Sequence, residues 1–329
     1  MDRHTIHRRR WLILPVLCLS LFLVVVDNTI VNVALPTLAR ELGATTSELQ
    51  WIVDAYSLVF AGLLLAAGSL GDRLGRKRTL QAGLVAFAAT SVAAAFAGGA
   101  GQLIAARAAM GVGAALVFPA TLAILTNVFT DPSERAKAIG IWAGVSGLAV
   151  ALGPLSGGWL LRHFWWGSVF FVNVPIVVVA LLAGHALLPE SRDPHAGRFD
   201  RIGFLTSVAG ITALIYTVIE APHRGWTDPR SLGGFVAAAM LIGTFVVWER
   251  RVAEPLLDVR VFANARFSAA SGAVTVSFFA LFGFIFLVTQ YFQFVRGYDT
   301  FSSGVHTLPF AAAAIVAARI SARLALRIG

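Results

Sequence analysis

The sequence predicts an all-α polytopic membrane protein, a helical bundle of about ten transmembrane helices without a soluble domain. Its 329 residues are 57% hydrophobic and 13% charged, with a mean hydropathy of +0.78. A soluble domain of this size could not bury so much apolar surface in one core. The net charge of +9 comes from short basic clusters between long apolar runs. This arrangement is typical of membrane topology and argues against a nucleic-acid partner.

Ten apolar runs are long enough to cross a bilayer as helices, which satisfy their own backbone hydrogen bonds in hydrocarbon. They lie near residues 11–36, 49–70, 80–98, 103–126, 138–161, 169–188, 202–220, 232–248, 267–292 and 304–326. The first run follows three arginines at 8–10 but is too long for the apolar core of a signal peptide, and no small-residue cleavage site follows it. We therefore expect it to be retained as a helix.

The distribution of Lys and Arg predicts a cytoplasmic N-terminus. With that orientation most basic residues fall in cytoplasmic segments, and the outer loops hold only Arg40, Arg162, Arg224, Arg230 and Arg296. The scarcity of lysine beside abundant Arg, Ala and Gly suggests a bacterial source with a GC-rich genome. We therefore expect a multi-pass protein of the bacterial cytoplasmic membrane, surrounded by lipid.

Charged residues lie within the first, second and fourth predicted spans, at Asp27, Asp54 and Arg107, respectively. A charge at the bilayer centre costs roughly 2.5–3.5 kcal/mol on insertion scales, so it usually faces protein or a water-filled cavity. At 1.5 Å per residue, Asp27 lies roughly 12 Å from the outer end of its span, and the other two lie roughly 6–8 Å from theirs. All three could share one layer, although charges at this depth also reach the interface or form a structural ion pair. Glu220 ends a span and is interpreted as an interfacial charge.

Span 5 is rich in glycine and contains a proline. Gly153 and Gly157, like Gly140 and Gly144, are four residues apart and leave a helix face without side chains, which permits close helix contact. Pro154 removes a backbone hydrogen bond within the span and should bend it. Alone, this pattern is a weak indication of function.

A glycine-rich basic loop joins spans 2 and 3, with the residues Gly68, Asp72, Arg73, Gly75 and Arg76. The loop resembles the signature of the major facilitator superfamily. Arg107 followed by Gly111 and Gly113 is similar to the fourth-helix arginine motif of that superfamily. The segment Gly153, Pro154, Gly157 and Gly158 resembles the fifth-helix motif of its antiporters. Further similarities in span 1, at Trp165–Trp166, at Asn173–Pro175 and between Gln293 and Pro309 indicate the fourteen-helix drug:proton antiporter (EmrB/QacA-type) family.

The resemblance implies proton-coupled efflux of small lipophilic, cationic drugs. Asp27 would carry the proton and compete for it with the drug, Arg107 would modulate that step, and Asp54 would assist. The loop between spans 2 and 3 would act as a conformational lock, and the glycines around Pro154 would form an antiporter bend. Alternating access of this kind needs an element with two states.

The resemblance also implies a division of the chain. We expect a six-helix N-terminal bundle over 1–188, an additional two-helix linker region over 189–266, and the first two helices of an incomplete C-terminal bundle over 267–329. Four of fourteen spans would be absent, so the chain is interpreted as C-terminally truncated. A non-transporting fragment, or a subunit that pairs with an oligomeric or missing-half partner, is therefore an alternative.

Other functional classes receive less support from the residues. A nutrient facilitator or symporter is disfavoured by the glycine–proline segment and by the acid in span 1. An enzyme is not expected, because the sequence shows no phosphate-binding loop, metal-ligand cluster or nucleophile–base pairing. The single cysteine, Cys18, excludes a disulfide framework. We expect no cofactor, with the proton motive force as the energy source.

Overall fold

The computed structural model describes residues 3–192 and 200–298, together with isolated residues between 302 and 320. Regular structure in these residues is entirely helical, as predicted. The α-helices are Arg3–Glu41 (α1), Thr46–Leu74 (α2), Arg76–Ala95 (α3), Ala100–Val128 (α4), Pro132–His163 (α5), Ser168–Phe171 (α6), Asn173–Leu187 (α7), Arg201–Arg224 (α8), Pro229–Glu249 (α9) and Ala265–Gln290 (α10). A 3-10 turn at Val259–Ala263 precedes α10, and a π-helical turn at Tyr291–Val295 follows it.

Seven helical segments of the described chain are long and apolar enough to cross a membrane. The predicted count of ten is therefore not supported. Helix α3 covers the predicted third span, but it is rich in alanine and begins with three basic residues. The apolar stretch Ala265–Leu281 of α10 is shorter than a full span, and the predicted span at 304–326 lies largely outside the described residues.

The chain divides into two compact units, residues 1–196 with 304–329, and residues 197–303. The first unit contains α1 to α7. Within it α1 packs against α2, α4, α5 and α7, and α4 packs between α2 and α3. The predicted three-part division at residues 188 and 266 remains a prediction.

Glycines on α4 set how closely its two neighbours approach. A Cβ at Gly111 would lie 2.7 Å from the carbonyl oxygen of Tyr56 on α2, and a Cβ at Gly113 would lie 2.9 Å from the amide nitrogen of Phe87 on α3. Small residues permit such backbone contact between membrane helices. One turn before Gly111, the same contact brings Arg107 against Ile52.

The start of α5 is fixed to α1 by polar groups. Asp131 caps the helix by accepting a hydrogen bond from the Glu134 amide at 2.9 Å, and Pro132 occupies its first turn. Glu134 in turn receives two hydrogen bonds from Arg10, Nε to Oε2 at 2.7 Å and Nη2 to Oε1 at 2.8 Å. This bidentate geometry joins the basic N-terminal segment to the bundle.

The second unit contains the α8–α9 hairpin, the 3-10 turn and α10. The hairpin helices approach closely because Gly210 and Gly234 leave room for the opposite helix. A Cβ at Gly210 would lie 2.9 Å from Ile242 Cγ1, and one at Gly234 would collide with Thr217 Oγ1. Asp200 and Asp228 cap the two helices.

Candidate functional site

The centre of the first unit holds a fully buried ion pair between Asp27 on α1 and Arg107 on α4. Arg107 Nη1 donates to Asp27 Oδ2 at 2.5 Å, and both side chains have 0% exposure. The sequence predicts both residues as functional, and the structure brings them into direct contact. A charge this far from water is tolerable because it has a partner of opposite sign.

Helix α2 holds the guanidinium of Arg107 from a second side. Arg107 Nε donates to the carbonyl oxygen of Ile52 at 3.0 Å, and the guanidinium carbon lies 4.4 Å from the centre of the Tyr56 ring. Tyr56 is itself fixed, because its hydroxyl donates to the carbonyl of Val24 at 3.1 Å. These contacts stabilise the cation independently of Asp27, through a carbonyl dipole and a cation–π interaction.

The other oxygen of Asp27 is bound by an amide from α7. Asn173 Nδ2 donates to Asp27 Oδ1 at 2.8 Å and to Ser91 Oγ on α3 at 3.3 Å. Asn173 and Ser91 both have 0% exposure. The polar cluster therefore joins five helices, α1, α2, α3, α4 and α7.

Two polar atoms of this cluster have no hydrogen-bond partner, Arg107 Nη2 and Asn173 Oδ1. An unsatisfied buried polar group costs roughly 1–3 kcal/mol. The cluster thus retains one free donor and one free acceptor beside the ion pair. Such groups can bind water.

Asp54 lies half-buried on α2, between Ile52 and Tyr56. Those two neighbours are four residues apart and face the ion pair, whereas Asp54 is about 200° around the helix from each, at 100° per residue. The structure therefore joins Asp27 with Arg107 and directs Asp54 toward a different side of α2. Its proposed assisting role remains a prediction.

The loop between α2 and α3 is closed by a glycine and by a local ion pair. Gly75 has a φ of +111°, a conformation that favours glycine. Arg76 pairs with Asp72, with Nη2 at 2.7 Å and Nε at 2.8 Å from Oδ1. Arg73 donates to Ser69 at 3.2 Å, and a Cβ at Gly68 would lie 3.8 Å from the Cβ of Pro119 on α4.

This loop is also bound to the chain segment that follows α7. The carbonyl of Ser191 accepts from the Arg76 amide at 2.8 Å, and Glu190 Oε1 accepts from the Lys77 amide at 3.2 Å. Arg78 pairs with Glu190 at 3.6 Å. A Cβ at Gly75 would lie 2.6 Å from the Glu190 carboxylate, so glycine there also makes room for this contact. No sequence pattern predicts Glu190 as a partner of the loop.

The glycines of α5 differ in what they contact. A Cβ at Gly153 would collide with Thr29 Oγ1 on α1, and one at Gly157 would lie 2.8 Å from Ile30 Cγ1. A Cβ at Gly158, Gly140 or Gly144 would meet no atom within 4 Å. The close contact predicted for the 153/157 pair is present against α1, whereas 140 and 144 face open space. The helix continues through Pro154, and its bending role stays a prediction.

A family model described as Major Facilitator Superfamily matches residues 17–329. The chain belongs to the Major Facilitator Superfamily. Two solved structures show the same fold. The proton:xylose symporter XylE gives a TM-score of 0.64 at 14% identity over 94% of this chain and 68% of its own. A peptide transporter POT structure gives 0.55 at 16% identity, covering 77% of this chain and 57% of its own.

Curated relatives from bacteria are named for drug resistance or export. The multidrug efflux pump LfrA of Mycolicibacterium smegmatis is 42% identical and covers 94% of this chain and 61% of its own length. The tetracenomycin C resistance and export protein of Streptomyces glaucescens is 36% identical over 98% and 60%, respectively. The methyl viologen resistance protein SmvA of Salmonella typhimurium is 38% identical over 98% and 65%. The chain therefore spans 60–65% of the length of these relatives.

Membership of the Major Facilitator Superfamily assigns the chain to a class of transporters rather than enzymes. Among the residues that the structure describes, no group of three His, Cys, Asp or Glu side chains could hold a metal ion. Glu220, predicted as interfacial, pairs with Arg224 one turn later at 2.9 Å.

Three members of the buried cluster were not predicted from the sequence as site residues: Tyr56, Ser91 and Asn173. Asn173 contributed to the family resemblance but was not predicted as a site residue. An amide within an apolar span was the available signal, because such a group needs a partner inside the bundle.

Proposed function

We propose that the chain performs proton-coupled efflux of small lipophilic, cationic compounds across the bacterial cytoplasmic membrane. The observation that carries the proposal is the buried Asp27–Arg107 pair with its orphaned donor and acceptor. The names of the relatives support the direction and the substrate class, since one is a multidrug efflux pump and another confers resistance to methyl viologen, an organic cation.

In the proposed mechanism three cations alternate at one carboxylate: Arg107, the proton and the drug. In the conformation of this structure Arg107 neutralises Asp27, and the pair is sealed from water. When Asp27 binds a proton, Arg107 loses its ion pair but keeps the Ile52 carbonyl and the Tyr56 ring. These two contacts offset part of the cost of a buried cation that has lost its acidic partner.

The finer features of the proposal follow from the same resemblance. The loop from Gly68 to Arg76 serves as the conformational lock, and the segment from Gly153 to Gly158 as the antiporter bend. We also propose that the N-terminus is cytoplasmic and that the chain is of the fourteen-helix drug:proton antiporter type. The energy source is the proton motive force, and substrates are recognised mainly by apolar surface, as in other promiscuous pockets.

The proposal predicts efflux that depends on Asp27. Cells that express the 329-residue chain should expel ethidium, a fluorescent lipophilic cation, and a protonophore should abolish that efflux. Asp27→Asn should reduce efflux to the level of an empty vector, because asparagine cannot alternate between a charged and a neutral form.

The matched control is Asp258→Asn, which removes an exposed acid in a loop of the second unit. It should leave efflux unchanged. Membrane fractions should contain equal amounts of each variant. Full proton-driven efflux by the Asp27→Asn protein, or no efflux by the unaltered chain present in the membrane, would contradict the proposal.

A further inference from the structure

The second unit contains a pair of buried acids that the proposed efflux mechanism does not use. Asp200 precedes α8 and Glu249 ends α9, with exposed fractions of 7% and 1%. Both carboxylates converge on Gly203, where a Cβ would collide with Asp200 Oδ2 and Glu249 Oε1. Two acidic oxygens are thus packed side by side with no space for a methyl group.

Asp200 has a full set of donors around it. Its Oδ1 accepts from the amides of Ile202 at 3.0 Å and Gly203 at 2.9 Å, as expected for a helix cap. The indole nitrogen of Trp248 donates to both of its oxygens, at 3.0 and 2.9 Å. These donors supply hydrogen bonds to both oxygens of Asp200.

Glu249 is satisfied on one oxygen only. Its Oε2 accepts from the Leu257 amide at 2.9 Å, which holds the loop after α9 against the hairpin. Its Oε1 is buried and has no hydrogen-bond partner, although it points at Asp200. A buried carboxylate oxygen beside another carboxylate is costly unless a proton lies between them, because two adjacent charges of the same sign repel each other away from water.

Among the residues that the structure describes, the nearby cations do not enter the pair. The charged groups on the packed elements are Arg201 on α8, Arg250 and Arg251 after α9, and Glu254, Asp258 and Arg260 around the 3-10 turn. All of these side chains are exposed to solvent, and Arg260 donates to the carbonyl of Arg250 at 2.9 Å. Solvent screens charges in such positions, so they do not replace a proton at the buried oxygens.

We propose that Asp200 and Glu249 share one proton and form a second proton-binding site, separate from Asp27. The carboxyl O–H of Glu249 donates to Asp200 Oδ2, and the same carboxyl accepts from Leu257. When the pH rises, the proton passes to water and both acids become charged. The pair then repels, the stability that it contributed is lost, and the loop at 250–258 detaches. The predicted orientation places this site on the cytoplasmic side.

Infrared spectroscopy of the purified full chain tests the shared proton. The unaltered protein should show the carbonyl band of a protonated carboxylic acid at neutral pH, and the band should disappear as the pH rises. Glu249→Gln and Asp200→Asn should each remove it, because the new amide donates to the remaining carboxylate. Asparagine also preserves the helix cap, and glutamine preserves the contact with Leu257.

Two controls make the result specific. Glu254→Gln removes an exposed acid from the same loop and should retain the band. Asp27→Asn shows how much of the band comes from the buried ion pair.

Hydrogen exchange of segment 250–258 should accelerate with pH in the unaltered protein beyond the intrinsic chemical rate, and should follow that rate in Glu249→Gln. Identical spectra for the unaltered protein and Glu249→Gln would overturn the proposal.

Discussion

Replacement of Arg107 by leucine is expected to destabilise the protein by about 3–5 kcal/mol, the cost of removing one partner from a buried ion pair. The substitution leaves Asp27 charged at 0% exposure, with Asn173 as its remaining donor. It also removes the hydrogen bond to the Ile52 carbonyl and the contact with the Tyr56 ring. Denaturant unfolding of the purified protein in detergent measures the free-energy change.

Two further variants distinguish the stability effect of losing the ion pair from the effect of losing an arginine alone. Arg40→Leu removes an exposed arginine at the end of α1 and should change stability by less than about 0.5 kcal/mol. Asp27→Asn combined with Arg107→Leu should recover part of the loss, because no buried charge then lacks a partner. An Arg107→Leu protein as stable as Arg40→Leu would show that the pair is not buried as described.

Alanine substitutions at two glycines of α5 are expected to have opposite effects. At Gly153 the new methyl group would collide with Thr29 Oγ1 and lie 2.8 Å from Thr29 Cβ and 3.1 Å from the Ile30 amide nitrogen. Overpacking of this kind costs about 1–3 kcal/mol. At Gly158 the methyl group meets no atom within 4 Å, so the higher helix propensity of alanine should stabilise by up to about 1 kcal/mol.

The two alanine proteins are matched controls for each other, because both add one methyl group to the same helix within five residues. Their difference in unfolding free energy reports the contact between α1 and α5. Gly153→Val should be worse than Gly153→Ala, since a larger side chain must push α1 further away. Equal stability of the Gly153→Ala and Gly158→Ala proteins would contradict the close approach of these helices.

The helices were predictable because the apolar runs exceed the thickness of a bilayer, and hydrocarbon permits few alternatives to a helix. The count of spans was less predictable. Length and hydropathy identify α1 or α9 readily. In contrast, α3 is held in the bundle by small residues that pack closely against α4, such as Gly83 against Leu116. Hydropathy does not register such packing, because alanine and glycine contribute little to it.

Part of the candidate site could also be predicted. Asp27 and Arg107 are opposite charges in separate spans at similar predicted depth. An ion pair between them lowers the free-energy cost of burying both charges. Depth alone did not distinguish Asp54 from these two residues, although it faces a different side of α2. The position of Asp54 around α2 relative to Ile52 and Tyr56 becomes known only when the neighbouring helices are placed, and its assisting role remains a prediction.

The contact between Asp200 and Glu249 in the second unit could not be predicted, for a different reason. Asp200 resembles an ordinary helix cap, and Glu249 resembles an interfacial charge at the end of a span. Their convergence depends on the way α8 and α9 pack at Gly203 and on the return of the loop to Leu257. Single-sequence patterns contain no signal for such a contact.

The central claim is that Asp27 exchanges a proton for the transported cation. Purified protein in weak buffer, equilibrated over a range of pH, can be mixed with saturating ethidium while an indicator dye records proton release. The unaltered chain should release a proton for each cation bound at a pH where Asp27 is protonated, and Asp27→Asn should bind without release. Undiminished proton release from the Asp27→Asn protein would contradict the claim.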